Sequence, residues 1–169
     1  VAPNWYPVNA DLDRYEVRHG LEYTVFRAEK DGVEVTWRVT VHARDAAELW
    51  RIEVRNTGKK KKDLLLVPFY QVDLHVSDPY FEVDLYKSSS SLEKRLLYIK
   101  NHGCSRKGED DALGFHASRP FKKFEMNMGR FLKDFGTLTT PVTVTRDAWN
   151  NSLIDDDRKP CFAAGIDLS

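Results

Sequence analysis

The sequence predicts an all-β chain arranged as an antiparallel β-sandwich, and three observations carry that expectation. Asp31-Gly32 stands between two strand-like runs, residues 23–30 and 33–41. The second run alternates strictly, with Val33, Val35, Trp37, Val39 and Val41 on one face and Glu34, Thr36, Arg38, Thr40 and His42 on the other, the signature of a half-buried strand. Short strand-like segments then recur to the last residues, with no internal repeat and no long amphipathic helix, a pattern that suits a sandwich.

Residues 1–12, VAPNWYPVNADL, hold two prolines and two asparagines and read as an irregular lead-in,. Asp31-Gly32 signals a tight hairpin, because a type I′ turn needs positive φ at both central positions,. In ELWRIEVRN, Trp50, Ile52 and Val54 alternate with Arg51, Glu53 and Arg55. Asn56-Thr57-Gly58 ends that strand, and Lys59–Lys62 make the turn. DLLLVPFYQVDL is apolar on both faces and reads as a strand between layers,. Pro68 within it implies a bulge or an edge position,. These consecutive strands with short turns make a meander. KSSSSLEKR, residues 87–95, reads as a polar loop or helix start, followed by the short strand LLYI. Residues 101–112 read as an exposed loop, and LGFHA and FKKFEM as strands,. GRFLKDFG has room for one or two helical turns, and TPVTVT and CFAAGIDL close the chain as strand-like segments.

A chain of 169 residues is expected to form one domain, residues 1–169, with a real core,. Lys plus Arg equals Asp plus Glu at 26 each, so net charge gives no argument for a nucleic acid or an anionic membrane as partner,. The longest apolar run, residues 64–70, is too short to span a bilayer,. The opening residues show neither a basic n-region nor an apolar h-region, so a cytoplasmic location is expected,. Cys104 and Cys161 form no CxxC and are expected to be thiols in a reducing compartment,. Asn150-Asn151-Ser152 fits the glycosylation sequon, which matters only for a secreted chain,.

Candidate chemistry is sparse. The five histidines, His19, His42, His75, His102 and His116, show neither His-x-His nor a helical i, i+4 pair,. Asp73-Leu74-His75 places two potential ligands on one strand face, but a solvated face is the simpler reading. Asp155-Asp156-Asp157 lacks the spaced ligands and closing Glu of an EF-hand and reads as a charged turn,. Lys59–Lys62 has no interleaved aromatics and reads as a solvated turn,. There is no GxGxxG, P-loop or GxSxG elbow,. Glu16 and Glu22 lie at even spacing and would share a face of one strand, with nothing to make them an acid and a base,. Trp5, Tyr6, Tyr15 and Tyr23 cluster early; aromatic faces stack on sugars, but core packing is their commoner use,.

WYPVNADLDRYEVRHGLEYTVF resembles a pattern of glycoside hydrolase family 94, the family of cellobiose, cellodextrin and chitobiose phosphorylases: Trp-x-Pro, then Leu-Asp-x-Tyr, then Arg-His-Gly-Leu-Gly-Tyr-Thr. The matching positions are Trp5, Pro7, Leu12, Asp13, Tyr15, Arg18, His19, Gly20, Leu21, Tyr23 and Thr24. DAAELWRIEVRNTGKKKKDLLLVPFYQVDL, RFLKDFGTLTTPVTVTRDAWNNS and CFAAGIDL look like later blocks of the same domain, in order. Glu22 and Lys133 depart from it, each standing where the family has glycine.

The resemblance implies an amino-terminal β-sandwich of the galactose-mutarotase-like supersandwich kind, truncated at both ends. It implies a parent enzyme that performs inverting phosphorolysis, with inorganic phosphate as co-substrate and no other cofactor or metal. The catalytic Asp and the phosphate site would lie in a separate α/α barrel. The expected partners are that barrel, a second subunit in a homodimer, and an oligosaccharide, with no nucleic acid and no membrane. No catalytic residue is expected in this chain. Arg18, His19, Gly20 and Tyr23 are the candidates for an interdomain or substrate-rim contact, since loop positions carry function more often than core positions do. The competing expectations are a stand-alone carbohydrate-binding module and a mutarotase-like enzyme using a His and a Glu.

Overall fold

The computed structural model describes residues 11–72, 74, 86–101, 111–133, 136–152, 154–157 and 159–168. Trp5, Tyr6, Asp73, His75, His102 and Cys104 lie outside the described residues, as do the side chains of Asp155–Asp157. The chain divides into two compact units, Val1–Lys62 and Asp63–Ser169. All strand pairs are antiparallel.

The first unit is a four-stranded meander, β1 (Arg14–His19), β2 (Tyr23–Lys30), β3 (Val33–Val41) and β4 (Glu48–Asn56), in sequence order. The β2–β3 turn is the expected one: Asp31 and Gly32 both have positive φ, 52° and 71°. That turn also anchors the far end of β4. The Gly32 carbonyl accepts from the Thr57 and Gly58 amides, and the Lys62 ammonium donates to the Asp31 carbonyl. On the apolar face Ala28, Val33 and Val35 are buried. Phe26 stacks on Trp37 at 5.1 Å, and Trp37 meets Trp50 edge-on at 4.9 Å. Large aromatic pairs of this kind add to the area they bury.

The second unit is a sandwich. One sheet joins β10 (Lys123–Asn127), β12 (Pro160–Leu168) and β5 (Leu64–Leu66), with β6 (Phe69–Gln71) also paired to β12. The other runs β11 (Ile154–Asp157), β7 (Tyr86–Ser91), β8 (Leu96–Asn101) and β9 (Asp111–His116). Tyr86, Leu97 and Ile99 from one sheet share a core with Phe124, Met126, Phe162, Ala164 and Ile166 from the other. Two short helices, α1 (Met128–Leu132) and α2 (Val142–Thr145), accompany the outer face of the first of these sheets, where Met128, Phe131, Cys161 and Ala163 form a second cluster. β12 is therefore buried on both faces, as the unbroken apolar run CFAAGI requires,. Cys161 is fully buried, with its Sγ 3.9 Å from the Glu125 carbonyl oxygen.

Several segments differ from their sequence reading. Asp155–Asp157, read as a charged turn, lie in strand β11 and pair with β7. Residues 101–112, read as an exposed loop, begin with the buried Asn101 at the end of β8 and finish inside β9. KSSSS is not a loop or helix start but most of strand β7, held between β8 and β11. Ladder pairing on both edges overrides the weak strand propensity of serine. TPVTVT is not a strand: α2 starts after Pro141, and the buried Thr143 hydroxyl donates to the Arg130 carbonyl at 3.0 Å. Proline suits a helix start, and tertiary contacts outweigh the β-branched run. DLLLVPFYQ is two strands broken at Val67-Pro68; it pairs with β12 at a sheet edge and does not extend the meander,.

Candidate functional site: the β1–β2 end of the first sheet

Cross-strand register decides which of the candidate residues stand together. β1 ends at His19, residues 20–22 make the turn, and His19 pairs with Thr24. Strand side chains alternate between faces, so Arg18 and His19 point to opposite sides of the sheet. Arg18 lies in a cross-strand row with Val25, Arg38 and Arg51. Tyr23, Thr40 and Leu49 form the next row on that face, nearer the turn. His19 belongs instead to the face of Val39 and Trp50, and its Nδ1 lies 3.0 Å from the Thr24 hydroxyl. The fragment Arg-His-Gly is thus not one cluster.

Gly20 and Tyr23 form a unit. The Gly20 amide donates to the Tyr23 carbonyl at 2.8 Å. The tyrosine ring lies so close to Gly20 that an added Cβ would fall 2.4 Å from its Cε1 and 2.7 Å from its Cζ. Glycine is needed here for close approach, not for a positive φ. Over the same ring stands the Arg38 guanidinium, 4.2 Å from the centroid, a cation–π contact. Tyr23, read from sequence as a sugar platform or core residue, is neither buried nor bare: it is exposed and has Arg38 above it. Arg38 carries no local mark in the sequence beyond its place on the polar face of β3; the register of β2 on β3 is what brings it to Tyr23.

Arg18 is tied down. It is hydrogen-bonded to the Glu16 carboxylate, which Arg14 and Arg27 also approach at 3.7 and 3.9 Å. The Arg18 hydrogen bond, with the positive charges of Arg18, Arg27 and Arg14, holds Glu16 below the usual carboxylate range against a smaller desolvation penalty,. Glu16 is a structural counter-ion, and the expectation that it shares a strand face with Glu22 fails because Glu22 lies in the turn. Lys59–Lys62 is a turn, organised by Asn56, whose side chain accepts from Gly58 N and donates to the Lys60 carbonyl.

The second unit holds one charged group that alternation hid. Glu125 is 1% exposed between Phe124 and Met126. Its carboxylate accepts from the Met126 and Asn127 amides at 3.0 Å and pairs with Arg130 Nε at 3.2 Å. It pins the irregular junction where β10 passes into α1. Among the described residues no group of three or more His, Cys, Asp or Glu is placed to hold a metal, and no helix is long and apolar enough to cross a membrane.

Fold and site together define an antiparallel β-sandwich module that presents an arginine- and tyrosine-bearing hairpin end. Along residues 1–169 the chain matches the family described as glycosyl hydrolase 94, supersandwich domain, and it belongs to that family. It is 31% identical over 153 residues to a solabiose phosphorylase of Paenibacillus borealis, covering 89% of this chain and 20% of that protein. It is 25% identical over 157 residues to an N,N'-diacetylchitobiose phosphorylase of Vibrio furnissii, covering 88% of this chain and 19% of that one. A Vibrio proteolyticus protein of the same name is 22% identical, with the same 88% and 19% coverage. The chain thus spans about a fifth of the length of these curated relatives.

Proposed function

We propose that this chain is the supersandwich domain of an inverting β-glycoside phosphorylase that works in the cytoplasm, and that it performs no chemistry itself. The observation that carries this reading is the whole-chain family match, together with relatives that are phosphorylases about five times longer than the matched segment. In the parent enzyme inorganic phosphate attacks the anomeric carbon of a β-glycoside, and an α-sugar 1-phosphate and the released acceptor sugar are the products. A helical barrel elsewhere in the polypeptide supplies the acid and the phosphate site. This domain supports that barrel and contributes to a homodimer. Its β1–β2 end, with Arg18, His19, Gly20 and Tyr23, faces the rest of the enzyme or the rim of its substrate channel.

The test is sugar 1-phosphate formation from solabiose, N,N'-diacetylchitobiose and cellobiose with inorganic phosphate. Full-length protein is expected to turn over at least one of them, and residues 1–169 alone none. Turnover by the isolated chain would overturn the division of labour. In the full-length enzyme Arg18→Ala is expected to lower kcat/KM roughly tenfold, the scale of one charge-assisted contact, with unchanged circular dichroism. Unchanged kinetics for both Arg18→Ala and His19→Ala would remove the rim role.

A further inference from the structure

The apolar side chains that the first unit leaves in solvent are concentrated at one end. Leu21 is fully exposed, Leu49 is 69% exposed, and Tyr23 is exposed in the same cross-strand row as Leu49; Val41, 59% exposed, lies at the same end on the other face. Leu21 sits in the β1–β2 turn, Tyr23 opens β2, Val41 closes β3 and Leu49 stands near the start of β4. The Val41 amide donates to the Glu22 carbonyl at 3.3 Å, which ties the turn to the end of β3. An exposed apolar cluster on a well-paired frame marks an interaction surface.

One cation in this surface is uncompensated. Arg18 is bound to Glu16, and Arg51 to Glu53 at 2.8 Å. Arg38 has no carboxylate partner among the described residues, and Tyr23, seated on Gly20, holds its guanidinium in place. A positioned arginine with a tyrosine and leucines around it is the composition of an interface hot spot. The same geometry disfavours a sugar: Arg38 already stands over the Tyr23 ring, and Leu21 and Leu49 offer a pyranose no hydrogen bonds.

We propose that Leu21, Tyr23, Arg38 and Leu49 form a docking surface for a polypeptide segment that presents a carboxylate beside apolar side chains, located in the part of the same phosphorylase chain outside these 169 residues. This rests on the reading of the chain as one domain of a longer enzyme. The unpaired guanidinium selects the carboxylate, and the two leucines select its apolar neighbours. Leu21, the most exposed of them, is the side chain a partner buries first.

The experiment places the photo-cross-linker p-benzoylphenylalanine at position 21 of the full-length enzyme and maps the adducts by mass spectrometry. Expected is a link to a segment outside residues 1–169 with an Asp or Glu close by, in a chain that still migrates at monomer mass. Arg38→Glu is expected to abolish that link while circular dichroism stays unchanged. A link to a second copy (doubled mass), a link within residues 63–169, or an adduct with added oligosaccharide alone would each overturn the proposal. Absence of any protein link in an enzyme with intact phosphorolysis overturns the docking surface and leaves the phosphorylase reading standing. The expected link in an enzyme that cleaves no glycoside overturns the phosphorylase reading and keeps the surface.

Discussion

Arg18, His19 and Gly20 are consecutive in the chain, yet each has a different physical job. Arg18 neutralises Glu16, His19 meets Thr24 on the opposite face, and Gly20 makes room for Tyr23. The identities were legible in the sequence; the separation followed only when the register of β1 on β2 was known, because alternation reverses the face at every residue. The glycine's role makes a residue-scale prediction. Gly20→Ala pushes a methyl group into the Tyr23 ring and is expected to cost about 1 kcal/mol, at the low end for overpacking because the ring can swing away. In a Tyr23→Ala background the same change should cost nearly nothing. Urea denaturation of the four species gives the coupling, and equal costs in both backgrounds would mean that the ring is not what glycine accommodates.

At the scale of elements, hairpins were readable and pairing partners were not. Asp31-Gly32 carries its own turn chemistry, since positive φ at two positions is cheap only for such residues,. Gly32→Ala is expected to destabilise by about 1–2 kcal/mol from left-handed strain. An added Cβ there also lies only 3.3 Å from the Gly58 backbone, so β4's anchor suffers too. Asp31→Asn should be close to neutral in the same urea titration, because asparagine tolerates this region equally well. β7 and α2 show the reverse case. Serines make a strand when both neighbours supply ladder partners, and a Thr-Val run makes a helical turn when a proline starts it and a buried hydroxyl is satisfied inside it.

For the whole molecule, burial is concentrated in the second unit. β12 contributes Phe162, Ala164 and Ile166 to the sandwich core and Cys161 and Ala163 to the cluster with the helices. Phe162 is 2% exposed and lies 5.9 Å from Phe115. Phe162→Ala is expected to cost about 3–5 kcal/mol, measured as a fall in the urea midpoint of the full chain. Phe26→Ala, in the half-buried ladder of the first unit, should cost less. A smaller effect at Phe162 than at Phe26 would show that the main core lies elsewhere.

The fold class, the β2–β3 hairpin and, through the Arg-His-Gly-Leu-x-Tyr stretch, the family were legible in the residues alone. These are local properties: the period of apolar residues, the φ preference of a dipeptide, the spelling of a motif. Long-range packing was needed to show that β5 and β6 pair with β12 and not with the meander, that Glu125 is buried against Arg130, and that Arg38 joins Tyr23 and Gly20. Each of those depends on which distant segment lies alongside, and a carboxylate or guanidinium in an alternating strand has the same spelling whether water or another layer covers it.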